Sequence, residues 1–202
     1  MYKVISKFLN ISSKMLFKVE VVGLENIPSE GACILAANHK SNWDAVFMCG
    51  LMGDRVINAI AKEELFKIPV LKTILKKCFV IPVNRNKPDM VTIKSILKVL
   101  KDEKVLGIFP EGTRHKDLDT FASPKAGLGM FAVKGKSVVV PISIVTNYKL
   151  FSKVVIYIDK PISFDAYYDK RNKSDDYEYI SNVVMNTIKS NYFAIKNTKV
   201  YD

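Results

Sequence analysis

Beyond Gly23 and Pro28 the apolar residues gather into short, nearly unbroken runs, at 32–37, 56–61, 78–83, 105–109, 138–145 and 154–158. Runs of that length predict buried strands. The intervening stretches 43–52, 63–77 and 88–101 carry helical periodicity, the last with Pro88 near its first position and Asp89 in its first turn. A closing helix is predicted from Ser174-Asp175-Asp176 onward, where Tyr177, Ile180, Val184 and Ile188 recur at helical spacing. Strand alternating with helix predicts an α/β fold: a single domain with a mostly parallel central sheet flanked by helices.

Residues 1–22 follow a different pattern. Lys3, Lys7, Asn10, Lys14 and Lys18 fall on one helical stripe, and Val4, Ile5, Phe8, Leu9, Ile11, Met15 and Leu16 cover the rest. The expectation is a basic amphipathic helix over 1–22, ahead of a main domain over 23–202. Neither an uninterrupted apolar region nor a small-residue cleavage site follows, so the segment is expected to belong to the mature protein. Such a helix can pack on the core with a solvated lysine edge, or it can dock on a membrane surface.

Composition narrows the picture. With 202 residues, 49% of them hydrophobic and 25% charged, the chain can bury a core, which excludes disorder for its bulk. No apolar stretch approaches the roughly 20 residues of a membrane-spanning helix. Lys and Arg number 31 against 20 Asp and Glu, a formal charge of +11 that suits an anionic membrane, a phosphorylated substrate or nucleic acid. Cys33, Cys49 and Cys78 are odd in number and lack CxxC spacing, which fits reduced thiols in a cytoplasmic setting and predicts no metal site.

The chain holds two histidines, and histidine is the side chain whose ordinary titration lies near neutrality. His39 directly follows the run 32–37, at a strand's carboxyl end, where open α/β sheets place their ligand crevices. Asp44, early in the next predicted helix, can reach back to one imidazole nitrogen and leave the other free to accept a proton. Ser41 is too close in sequence to act as nucleophile and no GxSxG turn exists, so the hydroxyl to be activated belongs to a substrate. Taken alone, the pair is equally what a cap or a surface hydrogen bond would look like. A second motif, Phe109-Pro110-Glu111-Gly112-Thr113-Arg114, also lies at a strand's carboxyl end. There Gly112 permits close backbone approach, Thr113 offers a hydroxyl and Arg114 a planar fork for phosphate. By itself it is also compatible with a turn carrying a Glu/Arg surface pair.

Together these motifs resemble the 1-acylglycerol-3-phosphate acyltransferase (PlsC-like) family of glycerolipid acyltransferases. The first family block is Asn38-His39-Lys40-Ser41-Asn42-Trp43-Asp44, and the phosphate-binding block is Phe109 to Arg114. Arg85 stands at the end of 79–85 in the family's second block, Lys125-Ala126-Gly127 represents a Lys-x-Gly element, and Val138-Val139-Val140-Pro141-Ile142 the fourth block. His115 and Pro124 depart from the residues usual in the family, and His115 is expected to be a solvated loop residue. The long hydrophobic N-terminal part of many relatives is here a short amphipathic stretch.

The resemblance implies transfer of a fatty acyl group from acyl-CoA or acyl-carrier protein to the free hydroxyl of lysophosphatidic acid, without a bound cofactor and without an acyl-enzyme. His39 would be the general base and Asp44 its orienting partner. Arg85, Glu111, Gly112, Thr113, Arg114 and Lys125 would bind the acceptor's phosphate end, with Glu111 orienting Arg114 or a substrate hydroxyl. Trp43, Val46, Phe47, Met48, Leu51 and Met52, with the apolar positions of 65–75, are expected mostly to build the core, and collectively to suit a chain tunnel or a membrane-facing rim whose Lys67, Lys72, Lys76 and Lys77 meet lipid headgroups. Expected partners are an anionic membrane surface, the lysophospholipid and the acyl thioester, at the cytoplasmic face of the membrane. Glycerol 3-phosphate or another lysophospholipid is the alternative acceptor. A basic nucleic-acid-binding module or an inactive lipid-binding protein is the alternative of another class. Against the former stands the lack of any nucleic-acid-binding signature, so no nucleic acid is expected.

Overall fold

A computed structural model of the chain describes residues 2–51, 55–84 and 89–198. Helix α1 (Tyr2–Leu16) is followed by strand β1 (Lys18–Val22), β2 (Cys33–Ala37), α2 (Trp43–Leu51), β3 (Ile57–Lys62), α3 (Pro69–Lys77), β4 (Ile81–Val83) and α4 (Met90–Lys101). Then come β5 (Val105–Ile108), α5 (Gly127–Lys134), β6 (Val138–Val145), β7 (Lys153–Ile158) and α6 (Ser174–Asn197). Among the described residues the strands form a seven-stranded sheet in the order β1-β7-β6-β2-β5-β3-β4. Every neighbouring pair is parallel except β6 with β7.

The unbroken apolar runs have a structural cause. β2 lies between β5 and β6, and all five of its residues are buried because both faces are covered. Its pleat sends Cys33, Leu35 and Ala37 to the side of α2, with Phe17, Phe47 and Met48. Ile34 and Ala36 go to the opposite layer, with Leu100, Phe131 and Ile188 of α4, α5 and α6. At α5 a Cβ on Gly129 would stand 2.2 Å from the Tyr177 carbonyl oxygen, so glycine sets how closely α5 and α6 approach. The Gly129 N–H donates to the Ser181 hydroxyl at 3.0 Å in that contact.

Several boundaries move, each for a local reason. The predicted helix over 63–77 breaks at Ile68, which is extended because Pro69 follows it. A short 3-10 turn, Glu63–Lys67, precedes α3 instead. Asp89 caps α4 rather than lying in its first turn: its carboxylate accepts the Thr92 N–H at 2.6 Å. Pro88 and Met52, at two predicted helix ends, lie outside the described residues. β4 is shorter than 78–83 because Cys78 still closes α3, its N–H donating to the Ile74 carbonyl at 2.9 Å.

The N-terminal expectation needs two corrections. Residues 18–22 are not helical but form an edge strand, paired in parallel with β7 from Lys18↔Lys153 to Val22↔Tyr157. The segment Lys18-Val19-Glu20-Val21 alternates with the period of a strand, and β7 offers it a ladder that outweighs helix propagation. Residues 18–22 are therefore part of the main domain's sheet rather than of a helix ahead of it.

Helix α1 is also turned inside out. Ser6, Asn10 and Ser13 face the protein while its lysines stay exposed: the Ser6 hydroxyl donates to the Cys49 carbonyl at 2.7 Å, and Asn10 donates to the Gly50 carbonyl at 3.1 Å. Val4, Phe8, Ile11 and Met15 point away from it, each between 51% and 71% exposed. The right-handed crossover from β3 to β4 puts α3 on the same side. Phe79, in the turn that ends α3, meets Tyr2 of α1 with ring centroids 6.4 Å apart. No residue of α3 is buried, and Ile68, Val70 and Ile74 are exposed among Lys67, Lys72, Lys76 and Lys77. Among the described residues no helix is long and apolar enough to cross a membrane.

Candidate active site

Two loops meet at the carboxyl ends of β2 and β5. Asn38 fixes the first by a two-way bond to β6: its side chain accepts the Ile144 N–H at 2.7 Å and donates to the Ile144 carbonyl at 2.9 Å. His39 then emerges over the end of β5 and stacks on Phe109, with ring centroids 4.0 Å apart and planes 11° from parallel. Its Nδ1 lies 3.1 Å from Asp44 Oδ2. Among the described residues nothing bonds Nε2, and the imidazole keeps a small exposed fraction while Asp44 has none.

Asp44 is completely buried and is held from several sides. Oδ2 also accepts the N–H groups of Lys40 and Ser41, each at 2.7 Å, which is how the first turn of α2 folds the carboxylate back toward His39. Oδ1 accepts the Tyr148 hydroxyl at 2.6 Å. A buried carboxylate without donors would carry a prohibitive desolvation penalty, and here each oxygen has its donor. Burial, then the charge of Asp44, push the Tyr148 phenol far above its ordinary range, so it stays protonated and donates.

The second loop is zipped onto the first. The His39 N–H donates to Glu111 Oε1 at 2.9 Å, and the His115 N–H donates to the His39 carbonyl at 2.8 Å. Glu111 Oε2 accepts the Ala122 N–H at 3.0 Å. With 1% exposure and both oxygens engaged by backbone, Glu111 faces inward. No described bond joins it to Arg114; its carboxylate clamps the main chain of His39 to the loop that carries Arg114. Gly112 turns that loop at φ 69, the left-handed region that favours glycine, and a Cβ there would sit 3.3 Å from Lys125 Cγ. Lys125 is tied to the turn by its own N–H, 2.8 Å from the Pro110 carbonyl. Thr113, Arg114 and Lys125 are exposed beside this turn, and no described side chain pairs with Arg114 or Lys125. Arg85 lies outside the described residues.

Lys40 closes the rest of the loop. It is buried, its ammonium donates to the carbonyls of Asp117 (2.7 Å) and Thr120, and it lies 3.8 Å from the Phe121 ring centroid. Burial pulls it below the usual lysine range, countered by Glu111, Asp117 and Asp44. His115 stays in that loop's own network, 2.6 Å from the Thr120 hydroxyl. The thiols are unpaired, and burial pushes Cys49 up to about 11, which leaves it a poor nucleophile. No described cluster of His, Cys, Asp or Glu is arranged for a metal ion.

Behind Phe109, on the α4/α5 side, lies an apolar cavity of about 390 Å³ lined by Ile60, Val83, Ile93, Ile96, Phe109 and Met130, among others. Phe47, Met48 and Leu51 fill the core beneath α1, as most of that stretch was expected to, and α3 is exposed together with its lysines. Sequence reasoning missed Tyr148, Lys40 and the stacking role of Phe109. Phe109 stood inside a recognised motif and its neighbourhood to His39 was legible there. Tyr148, 104 residues from Asp44, carried no local signal.

A base with one nitrogen held by a buried carboxylate and the other unbonded can accept a proton from a hydroxyl. The adjoining cationic turn can hold an anionic group on the same molecule. Comparisons with known proteins agree with that chemistry. A family model described as "Acyltransferase" matches residues 18–145. The chain is 33% identical over 142 residues to the 1-acyl-sn-glycerol-3-phosphate acyltransferase of Bacillus subtilis, covering 70% of this chain and 69% of that protein. To the protein of the same name from Borreliella burgdorferi it is 32% identical over 143 residues, 69% of this chain and 56% of that one. The crystal structure of the 1-acyl-sn-glycerophosphate (LPA) acyltransferase PlsC from Thermotoga maritima superposes with a TM-score of 0.78 at 28% identity, over 96% of this chain and 79% of that chain. This chain therefore belongs to the PlsC-like acyltransferase family and is an acyltransferase of the 1-acylglycerol-3-phosphate acyltransferase kind.

Proposed function

We propose that the chain transfers a fatty acyl group from an acyl thioester, acyl-CoA or acyl-carrier protein, to the free hydroxyl of lysophosphatidic acid, giving phosphatidic acid. The observation that carries this reading is the His39–Asp44 contact at 3.1 Å, hydrogen-bonded through His39's own backbone to the loop of Arg114. His39 Nε2 takes the hydroxyl proton as the oxygen attacks the thioester carbonyl carbon. When the tetrahedral intermediate collapses the C–S bond breaks, and the imidazolium returns the proton to the departing thiolate. Asp44 holds the imidazole through Nδ1 and stabilises its transient charge. Arg114 and Lys125, with the Gly112 turn and Thr113 between them, hold the phosphate; Arg85 is proposed as a further cation of that end. The cavity behind Phe109 is the dry space that suits the acyl chain. The test is purified protein with labelled acyl-CoA or acyl-carrier protein against a panel of phosphorylated glycerol acceptors, products resolved by mass. Acylation of glycerol 3-phosphate alone would change the acceptor, and no ester product would overturn the reading.

The same proposal places the chain on the cytoplasmic face of a membrane, resting on an anionic surface through α1. A helix that points Ser6, Asn10 and Ser13 inward and Val4, Phe8, Ile11 and Met15 outward, among lysines, suits a bilayer interface better than water. Replacing Phe8 with Glu is expected to reduce sedimentation with anionic liposomes about tenfold while leaving the melting temperature unchanged. Undiminished binding would assign attachment elsewhere.

A further inference from the structure

Tyr148 stands outside every motif that led to the site. It lies in the loop between β6 and β7, and its backbone occupies the left-handed region at φ 58, which a bulky residue adopts only when its surroundings impose it. The Tyr148 N–H donates to the Thr146 hydroxyl at 3.2 Å, and Lys149 N–H to Asn147 Oδ1 at 2.9 Å. The loop is tied at its far end by Phe151 N–H to the Leu16 carbonyl at 2.7 Å and Lys18 N–H to the Ser152 carbonyl at 2.9 Å. The ring packs against the apolar cluster on the α2 side, and the hydroxyl ends 2.6 Å from Asp44 Oδ1.

We infer that Tyr148 is a positioning residue of the dyad: by engaging Oδ1 it fixes the rotation of the Asp44 carboxylate, so that Oδ2 faces His39 Nδ1 and the imidazole keeps its proton there. The backbone donors of Lys40 and Ser41 hold only Oδ2. Without the phenol, Oδ1 has no partner among the described residues and the carboxylate can swing about its bond to the chain. The inference rests on the proposed role of His39 for its consequence in catalysis, and on geometry alone for its consequence in the imidazole tautomer.

The experiment uses full-length Tyr148→Phe, which keeps the ring and removes one hydroxyl. Turnover is expected to fall about tenfold, the worth of one well-placed hydrogen bond, with KM for acceptor and donor within about twofold. In an Asp44→Asn background the same change is expected to cost less than about twofold, because the group it acts through has been altered. Nitrogen NMR of histidine-labelled protein, simplified by a total of two histidines, is expected to show His39 as one Nδ1-protonated tautomer in the parent chain and as a mixture in Tyr148→Phe. An unchanged tautomer with unchanged kcat would overturn the inference, as would an equal loss in both backgrounds. Should the parent chain form no ester product, the proposed function fails, and the nitrogen spectrum still decides the role of Tyr148.

Discussion

The two ends of the site are built on opposite principles. At the His39 end the buried charged side chains are all engaged: Asp44 takes four contacts, Glu111 two, and Lys40 two carbonyls and a ring face. At the Arg114 end the cations of Arg114 and Lys125 are exposed and lack described partners, on a turn that glycine makes possible. The difference follows from what the proposed function asks of each end. A proton acceptor works only in one orientation, so its surroundings are satisfied in advance and leave one nitrogen open. A binding end for an anionic headgroup can complete its hydrogen bonds with the ligand. Glu111 joins the two, since its carboxylate is the link between the main chain of His39 and the loop that carries Arg114.

That contrast can be broken from either side. His39→Ala is expected to lower kcat by about a thousandfold or more while leaving the melting temperature nearly unchanged, because the imidazole is stacked at the rim of the core; steady-state rates and a thermal melt check both. Glu111→Ala acts on both ends. It strips acceptors from two backbone N–H groups, which costs about 2–5 kcal/mol of stability by denaturant titration and about a hundredfold in kcat/KM. If only one of kcat and acceptor KM moved, the joint role of Glu111 would be wrong. Arg114→Ala is expected to raise acceptor KM about tenfold with kcat and donor KM nearly unchanged, as for loss of one charge-assisted contact. A loss confined to the donor's KM would move Arg114 out of the phosphate end and collapse the comparison.

Much of the fold was legible because a sheet covered on both sides demands continuous apolar runs, and 138–145 proved to be the strand Val138–Val145 without change. β1 was not, since Lys18 fits a helical stripe as well as the outward phase of an edge strand, and only β7 decides between them. Helix α5 was hidden by Gly127 and Gly129, poor helix formers, of which Gly129 is kept for the close approach of α6. In the site, the four-residue gap between His39 and Asp44 announced the dyad. The inward turn of Glu111 was not announced, because a carboxylate beside Arg114 in sequence looks like its partner until the loop's direction is known.

The sequence by itself determined the alternation of strand and helix from β2 to β7, α5 excepted, together with the spacing of His39 and Asp44 and the turn at Gly112, since each is written in neighbouring residues whose spacing is set by strand and helix geometry. Only tertiary structure decided that Glu111 clamps backbone, that Tyr148 reaches Asp44 across 104 positions, and that α1 shows its apolar side outward. Those facts depend on which surfaces meet after the chain has crossed the sheet. A side chain's partner there is fixed by packing in space, which leaves no periodic trace in the order of residues.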